Sequence, residues 1–402
     1  MRQIAIFTMG TRGDVQPYLE LGRALTEAGM GVTLGTHPCW EGLVRAAGIG
    51  FAPIGPDIDI QQEAAAIRGR SKSPMTSMLK TMNFVFQIIK NASGDIYASC
   101  RDKDLIVVSH SQMGATEAEA LGLPTVNVTL QTEMIAQPGR PRGPGGRAID
   151  ALIGRQMARP YNKIRKLYGL WWVSSMDEVM SPRLNLIPIS RYVVQANPYW
   201  DGRNQIVGYW YHEDEGYQPP EALRAFLEAG EPPAILALGA MAFESRQERE
   251  KLDLFVRALQ NAGMRAVIQG FNKSLEGYEL PGTMLSCGAV PHSWLFRQGG
   301  CVIHHCGFGT SAAAMLYGAP SVPVPHVLDQ FAFAQRLYEL GVGVEPVRAD
   351  ALSEQRLTRA LEQVKDQREA LAGRAAALSR KMRAENGLEK AVALIQDVLE
   401  NP

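Results

Sequence analysis

The chain is 402 residues long, and its 41 Lys+Arg balance 41 Asp+Glu to a formal net charge of zero, so no general electrostatic attraction to nucleic acid or to an anionic membrane is expected. With 46% hydrophobic and 20% charged residues the composition is globular, which argues against long disorder or a fibre. The length suggests roughly two to three domains that bury their apolar surface without disulfides. Five scattered cysteines, Cys39, Cys100, Cys287, Cys301 and Cys306, form no C-x-x-C pair, so neither a zinc module nor a disulfide framework is indicated. The first apolar run, in MRQIAIFTMGTRGD, is broken by Arg12 and Asp14 and is too short for a signal peptide. No run of about 18 apolar residues follows, and a reduced cytoplasmic compartment is the expectation.

Along the chain, short apolar runs alternate with amphipathic stretches, the pattern of βαβ units in a parallel sheet. Residues 3–9 predict a first strand, a helix begins near Val15–Pro17 and runs to Ala28, and residues 32–36 predict a second strand. Residues 104–108, 125–129 and 192–195 predict further strands. Residues 75–98 predict one long helix whose Met78, Met82, Val85, Phe86 and Ile89 share a face, either packing the core or lining an apolar pocket. Residues 137–147, QPGRPRGPGGR, hold four Gly, three Pro and three Arg and predict a mobile loop, either a lid or a plain surface loop. The acidic, Pro-ended stretch 209–220, YWYHEDEGYQPP, predicts a linker. After it the alternation restarts, with strands at 234–238, 265–268, 283–285, 301–304 and 321–324, helices at 245–262 and 330–340, and a helical tail at 354–400. Two α/β units joined by a linker imply a cleft between them.

The strongest local signal is residues 301–329, CVIHHCGFGTSAAAMLYGAPSVPVPHVLD. A buried strand ends at His304-His305, and a Gly-containing turn leads into a helix opened by Thr310 and Ser311. Glycines let the backbone approach a ligand, and the free N–H groups and positive dipole end of the helix suit a phosphate. His305 would donate a further hydrogen bond to a diphosphate oxygen. The same residues also read as a well-capped helix after a strand, with His305 a satisfied core histidine.

The run His304-His305-Cys306-Gly307-Phe308-Gly309-Thr310, followed by Gly318-Ala319-Pro320 and Asp329-Gln330, resembles the donor-nucleotide motif of family 1 glycosyltransferases. Gly10-Thr11-Arg12-Gly13-Asp14-Val15-Gln16-Pro17-Tyr18 is similar to the first loop of that family's sterol 3-beta-glucosyltransferase and glycopeptide glycosyltransferase branches, and Val207–Trp210 and Val290–Phe296 fit the sterol pattern. The resemblance implies a GT-B fold, two Rossmann-like β/α/β domains facing a cleft. Residues 1–210 would bind the acceptor, 221–385 the nucleotide sugar, and the helix at 386–402 would return to the N-terminal domain.

The resemblance further implies Asp14 as the base for the acceptor hydroxyl, on the loop after the first strand, while the same residue also reads as a cap of the helix behind it. His305, Gly307, Gly309 and Thr310 would hold the leaving diphosphate, Asp329 and Gln330 the sugar hydroxyls, and the Val290 backbone the uracil edge, with Gly13, Ala240 and Met241 completing the donor set. The alternative for Asp329 and Gln330 is a helix N-cap before Phe331. The acceptor would be lined by residues 75–89, 110–114, 131–135 and 171–180, among them Met82, Phe86, Met113 and Gln131, an adaptable apolar surface. No metal or other cofactor is implied; Asp57-Ile58-Asp59 and Asp102-Lys103-Asp104 match a D-x-D string and are expected to be solvated charges.

Several residues depart from the family pattern. Ala240 stands where relatives carry Ser, Ala313 where plant-type relatives carry Glu, Ser293 where Asp is common, and Cys306 and Phe308 replace small residues. The function implied is inverting, metal-independent transfer of a hexose, foremost glucose from UDP-glucose, to a hydroxyl of a sterol, terpenoid, polyphenol or polyketide. Alternatives are a TDP-deoxysugar transferase of natural-product biosynthesis and a non-catalytic GT-B homologue. A dinucleotide-dependent dehydrogenase lacks its G-x-G-x-x-G after the first strand, and a hydrolase lacks its G-x-S-x-G elbow.

Overall fold

The computed structural model describes residues 1–58, 63, 67, 74–137, 140–214, 216–239, 245–327 and 329–401. The chain divides into two compact units, Met1–Tyr211 together with Asn386–Pro402, and His212–Glu385.

In the first unit, strands β1 (Gln3–Phe7), β2 (Gly31–Thr36), β3 (Gly50–Pro53), β4 (Leu105–Val108), β5 (Thr125–Val128), β6 (Asn185–Ile187) and β7 (Asn204–Ile206) form one sheet in the order β3-β2-β1-β4-β5-β6-β7. Every pairing is parallel. Helices α1 (Arg12–Glu27), α2 (Glu41–Ala46), α3 (Pro74–Cys100), α4 (Ala115–Ala120) and α5 (Pro144–Arg165) connect the strands. Ala5, Phe7, Ile106 and Val108 point into a core closed by Ile88, Ile89, Ala92 and Ile96 of α3 and by Tyr161 and Ile164 of α5. Burying both faces is what apolar parallel strands require.

The second unit has five parallel strands, β8 (Ala234–Ala237), β9 (Ala266–Gln269), β10 (Met284–Cys287), β11 (Cys301–His304) and β12 (Ser321–Pro323), in the order β10-β9-β8-β11-β12. Its helices are α6 (Glu221–Glu228), α7 (Ser245–Asn261), α8 (Asn272–Leu275), α9 (His292–Leu295), α10 (Phe308–Leu316), α11 (Asp329–Glu339), α12 (Glu354–Asp366) and α13 (Arg368–Arg383). Alternate residues of β8 feed opposite cores, Ala234 and Leu236 beneath Leu252 and Phe255 of α7, Ile235 and Ala237 with Ala313 and Ala314 of α10. The final helix α14 (Gly387–Glu400) packs on α1 and belongs to the first unit, as the fold class implied.

In each sheet the strand order reverses beside the first strand, between β1 and β4 and between β8 and β11. Parallel α/β sheets bind ligands at such switch points, beyond the carboxyl ends of the strands. Residues 10–14 follow β1 and 304–310 follow β11, so both candidate motifs stand at switch points.

Three expectations are corrected. The first helix starts at Arg12, three residues ahead of the expected Val15, because Thr11 and Asp14 close a reciprocal capping box that outweighs Pro17 in the second turn. Residues 192–195 are not a strand, since Ser190 turns the chain by accepting from the Val193 and Val194 amides; the strands there are β6 and β7. The expected loop 137–147 ends at Gly143, and Pro144 opens α5 as a preset first helical residue. The expected linker 209–220 does carry the change of unit, after Tyr211, and it is packed on either side of that point. Tyr209 and Trp210 are buried, Glu213 pairs with Arg297 at 2.7 Å and Arg383 at 2.5 Å, and Asp214 accepts from Ser293 at 2.6 Å.

The return of α14 depends on Gly387. A Cβ there would lie 2.6 Å from the Gly208 carbonyl oxygen, and the Gly387 carbonyl accepts from Trp210 Nε1 at 3.2 Å. Gly387→Ala should therefore destabilise the first unit by about 1–3 kcal/mol, seen as a lower urea midpoint at constant slope. An unchanged midpoint would contradict this packing.

Candidate active site

In the second unit the turn after β11 opens a helix whose first amides are left free of intrahelical bonds. Gly307 is the N-cap of α10 and Ser311 N donates back to the Gly307 carbonyl at 2.9 Å, so the Gly309 and Thr310 N–H groups in the first turn have no intrahelical acceptor. Gly309 is exposed, and a Cβ there would meet nothing within 4 Å, which leaves that turn open to a ligand. Thr310 is buried at the third helical position.

His305 lies against this turn, wedged between two glycines. A Cβ on Gly239 would sit 2.6 Å from His305 Cε1, and one on Gly307 would sit 2.4 Å from Nε2. His305 is 9% exposed and its Nδ1 has no hydrogen-bond partner among the described residues, as is true of the buried Ser311 hydroxyl. Orphaned polar atoms of this kind are costly unless a ligand or water completes them. Burial, reinforced by His326 and His292, pushes His305 down to about 4, so the ring is neutral near pH 7 and can donate one N–H. Its neighbour His304, wholly buried and pushed down to about 3 chiefly by burial, accepts the Cys306 amide on Nδ1 at 3.3 Å. That bond supports the left-handed Cys306 (φ 63) from which the pocket turn departs.

Of the remaining donor-side candidates, Val290, Asp329 and Gln330 are described residues of this unit. The buried Val290 gives its carbonyl to Gln269 Nε2 at 2.7 Å, and Gln269 Oε1 meets His292 Nε2 at 3.0 Å, with that imidazole stacked 4.3 Å from Phe296. Asp329 opens α11, half-exposed. Gln330 is buried, and its Oε1 accepts the His326 amide at 2.8 Å and the Val327 amide at 3.2 Å, so it shapes the loop before α11. Phe308, the departure from a small residue, meets Phe333 edge-on at 6.1 Å and joins α10 to α11. Ala240 and Met241 lie outside the described residues.

In the first unit Asp14 is the third residue of α1 rather than part of a loop. Its Oδ2 accepts from both the amide (2.8 Å) and the hydroxyl (2.9 Å) of Thr11, and no described residue bonds Oδ1. Gly10, at φ 129, allows this close approach, since a Cβ there would lie 2.4 Å from Oδ2. Gly13 is exposed in the same turn and Asp14 is half-buried. One turn below, the Tyr18 phenol is fully buried, donates to the Val128 carbonyl at 3.3 Å, and is pushed far above its ordinary range by burial and by Asp14. Capping leaves one carboxylate oxygen able to accept a proton.

Of the acceptor candidates, Met113 has no exposed surface and belongs to the core, while Phe86 packs against that core and meets Tyr161 edge-on at 5.0 Å. Gln131 is half-buried before a short 3-10 turn, and Met82 lies on α3. A hollow of about 370 Å³ is lined by Leu152, Ile153, Gln156 and Met157. Polar atoms also lie at the carboxyl ends of β2 and β4, His110 within the expected acceptor stretch 110–114 and Thr36 outside any expected one. The Thr36 hydroxyl and Nδ1 of His110 are buried without partners among the described residues. For Thr36, only its place at a strand end in sequence could have drawn notice.

Of the two D-x-D strings, Asp59 lies outside the described residues. Asp104 fastens the N-terminal strand, accepting from the Gln3 amide at 2.7 Å and pairing with Arg2 at 3.0 Å, contacts that hold its carboxyl below the usual range. Among the described residues no group of three or more His, Cys, Asp or Glu side chains could hold a metal, and no helix is long and apolar enough to cross a membrane. All five cysteines are free thiols.

Residues 4–126 match the glycosyltransferase family 28 N-terminal domain, and residues 266–396 match the erythromycin biosynthesis protein CIII-like C-terminal domain. The chain is 30% identical over 430 residues to O-mycaminosyltylonolide 6-deoxyallosyltransferase of Streptomyces fradiae, a match covering 99% of this chain and 98% of that protein. It is 28% identical to sterol 3-beta-glucosyltransferase UGT80B1 of Arabidopsis thaliana, over 89% of this chain but only 62% of the plant protein's length. Among solved structures, the glycosyltransferase VinC in complex with DTDP superposes with a TM-score of 0.73 at 21% identity, covering 100% of both chains. That likeness extends the GT-B fold over both units.

The buried histidines fix the sign of a pH effect. His305 and His326 both lie near 4 when folded, below the unfolded 6.5, so the unfolded chain binds more protons across that window. Stability is then full above 6.5 and is lost as pH falls toward 4. The melting temperature should fall over this range, and less steeply in His305→Gln; an equal slope in both proteins would contradict a neutral buried His305.

Proposed function

The chain belongs to the GT-B glycosyltransferases, a family of sugar-transferring enzymes, and on that premise we propose that it moves glucose from UDP-glucose to a hydroxyl of a lipophilic acceptor, a sterol, terpenoid, polyphenol or polyketide. Residues 1–210 take the acceptor, residues 221–385 take the nucleotide sugar, and 386–402 complete the first of these. The observation that carries the reading is the pocket at 304–311, where open helical N–H groups, a neutral buried histidine with an unpartnered nitrogen and an unpartnered serine hydroxyl converge on one turn.

The chemistry follows from those groups. The acceptor oxygen attacks the anomeric carbon while its proton passes to Oδ1 of Asp14, whose other oxygen Thr11 holds in place. The bond from the anomeric carbon to the diphosphate oxygen breaks, and its electron pair leaves with the diphosphate. The N-terminus of α10, with the Gly309 and Thr310 amides, the Thr310 hydroxyl and His305, receives that charge without a metal. One displacement inverts the anomeric centre. Asp329 and Gln330 would address the sugar hydroxyls and Val290 the base.

A second reading, transfer of a TDP-deoxysugar to a natural-product scaffold, is favoured by the near-full-length match to a protein named as a 6-deoxyallosyltransferase and by the structural neighbour solved in complex with DTDP.

Mass spectrometry of products decides between them. Wild type with UDP-glucose and a pooled set of sterols, triterpenes, flavonoids and macrolides should give a hexose adduct, and Asp14→Asn should slow it by about 100-fold or more. An adduct formed at full rate by the variant would remove Asp14 from the chemistry. A deoxyhexose adduct with TDP-sugars alone would select the second reading, and no adduct with either donor would refute transfer.

A further inference from the structure

The segment 140–172 holds six of the eleven large apolar side chains that are exposed among the described residues: Ile149, Leu152, Ile153, Leu167, Trp171 and Trp172. Every residue from Arg147 to Ile153 is exposed, so the first turns of α5 cover no core. The two tryptophans, 90% and 74% exposed, do not hang on a loose loop. Arg165 Nε donates to the Trp171 carbonyl at 2.7 Å, and Asn162 exchanges bonds of 2.8 and 2.9 Å with Val173. Gly154 lets the Ser174 carbonyl approach so closely that a Cβ would lie 3.3 Å from its oxygen. The backbone is fastened along the helix while both indoles stand in water.

Charge accompanies this apolar surface. Arg140, Arg147, Arg155, Arg159, Lys163 and Lys166 are exposed and have no acidic partner among the described residues. The segment's one acid, Asp150, is taken by Arg142 at 2.6 Å, and Arg165 is taken by Glu119. A chain of zero net charge thus gathers six unpaired cations around its largest exposed apolar group, a local excess that the whole-chain balance hides.

We propose that this face docks on an anionic lipid bilayer, with Ile149, Leu152, Ile153, Trp171 and Trp172 entering the headgroup region and the six cations meeting lipid anions. An amphipathic helix edged with Arg and Lys lies in such an interface, and indoles favour its boundary. A second copy of the chain suits the face less, because a two-fold contact would set the same cations against each other. The segment 171–180, expected on the acceptor surface, thereby gains a separate role for its tryptophans.

Flotation of the full chain with vesicles tests this without donor sugar, so its outcome is separate from that of the transfer reading. Wild type should float with phosphatidylserine–phosphatidylcholine vesicles, not with phosphatidylcholine alone, and should be released near 0.5 M salt, where the Debye length shrinks to about 4 Å. The paired variant Trp171→Ser, Trp172→Ser and the triple variant Arg155→Gln, Arg159→Gln, Lys163→Gln should each lower binding roughly tenfold, with unfolding midpoints unchanged because every substituted side chain is exposed. Absence of wild-type flotation, or full flotation of the well-folded variants, would overturn the proposal. So would a wild-type dimer in solution that the tryptophan substitutions dissolve, which would give the face to a second copy.

Discussion

His305 can occupy its place only because two neighbours lack a Cβ. Gly239 follows β8 and Gly307 follows β11, the two strands that flank the switch point of the second sheet, and each would drive a methyl group into the imidazole. The pocket is thus set by backbone geometry. The glycines bring the ring against the first turn of α10, the left-handed Cys306 supplies the turn, and His304 holds it by accepting the Cys306 amide. Burial then keeps both imidazoles neutral, so the positive character of the pocket comes from amides and the helix dipole rather than from a formal charge. Under the proposed function such a site would take a diphosphate without carrying a permanent cation into the core.

The first unit uses the same geometry for a different end. Gly10 after β1 lets Asp14 fold back on Thr11, as Gly307 after β11 lets α10 begin beside His305. In one case the helix N-terminus is capped by the chain's own carboxylate, and in the other it is left open. The capped helix offers a carboxylate oxygen, the open one offers N–H groups, and sugar transfer needs one of each. That contrast, rather than the shared Rossmann-like form, separates the proposed acceptor and donor roles.

The sequence discloses the parts of this that depend on neighbours along the chain. Strand β11 and its turn are legible because His, Gly and Thr stand within seven residues after an apolar run, and β8 and β9 because buried parallel strands are continuously apolar. The first helix reads as starting late when Pro17 is taken as a first-turn residue, whereas Thr11 and Asp14 decide the start by reciprocal capping. Residues 192–195 read as a strand from their β-branched and aromatic content, but the Ser190 turn directs them elsewhere. What stays hidden rests on contacts between distant segments. The wedging of His305 by Gly239 and the fastening of Trp171 by Arg165 have no signature in local spacing. The helical stripe on α3 could mean core or pocket, and burial of Ile89 with packing of Val85 and Phe86 gives much of it to the core.

Calorimetric titration with uridine diphosphate tests the central claim, that the turn at 304–310 holds the leaving group. The account predicts that wild type and Asp14→Asn bind alike, because Asp14 is assigned to the acceptor hydroxyl and not to the diphosphate, and that His305→Ala weakens binding by about tenfold or more, the worth of one hydrogen bond to a charged group. Equal affinity in His305→Ala and wild type, with the variant folded, would contradict it. The same titration with thymidine diphosphate would then read the preference for the base.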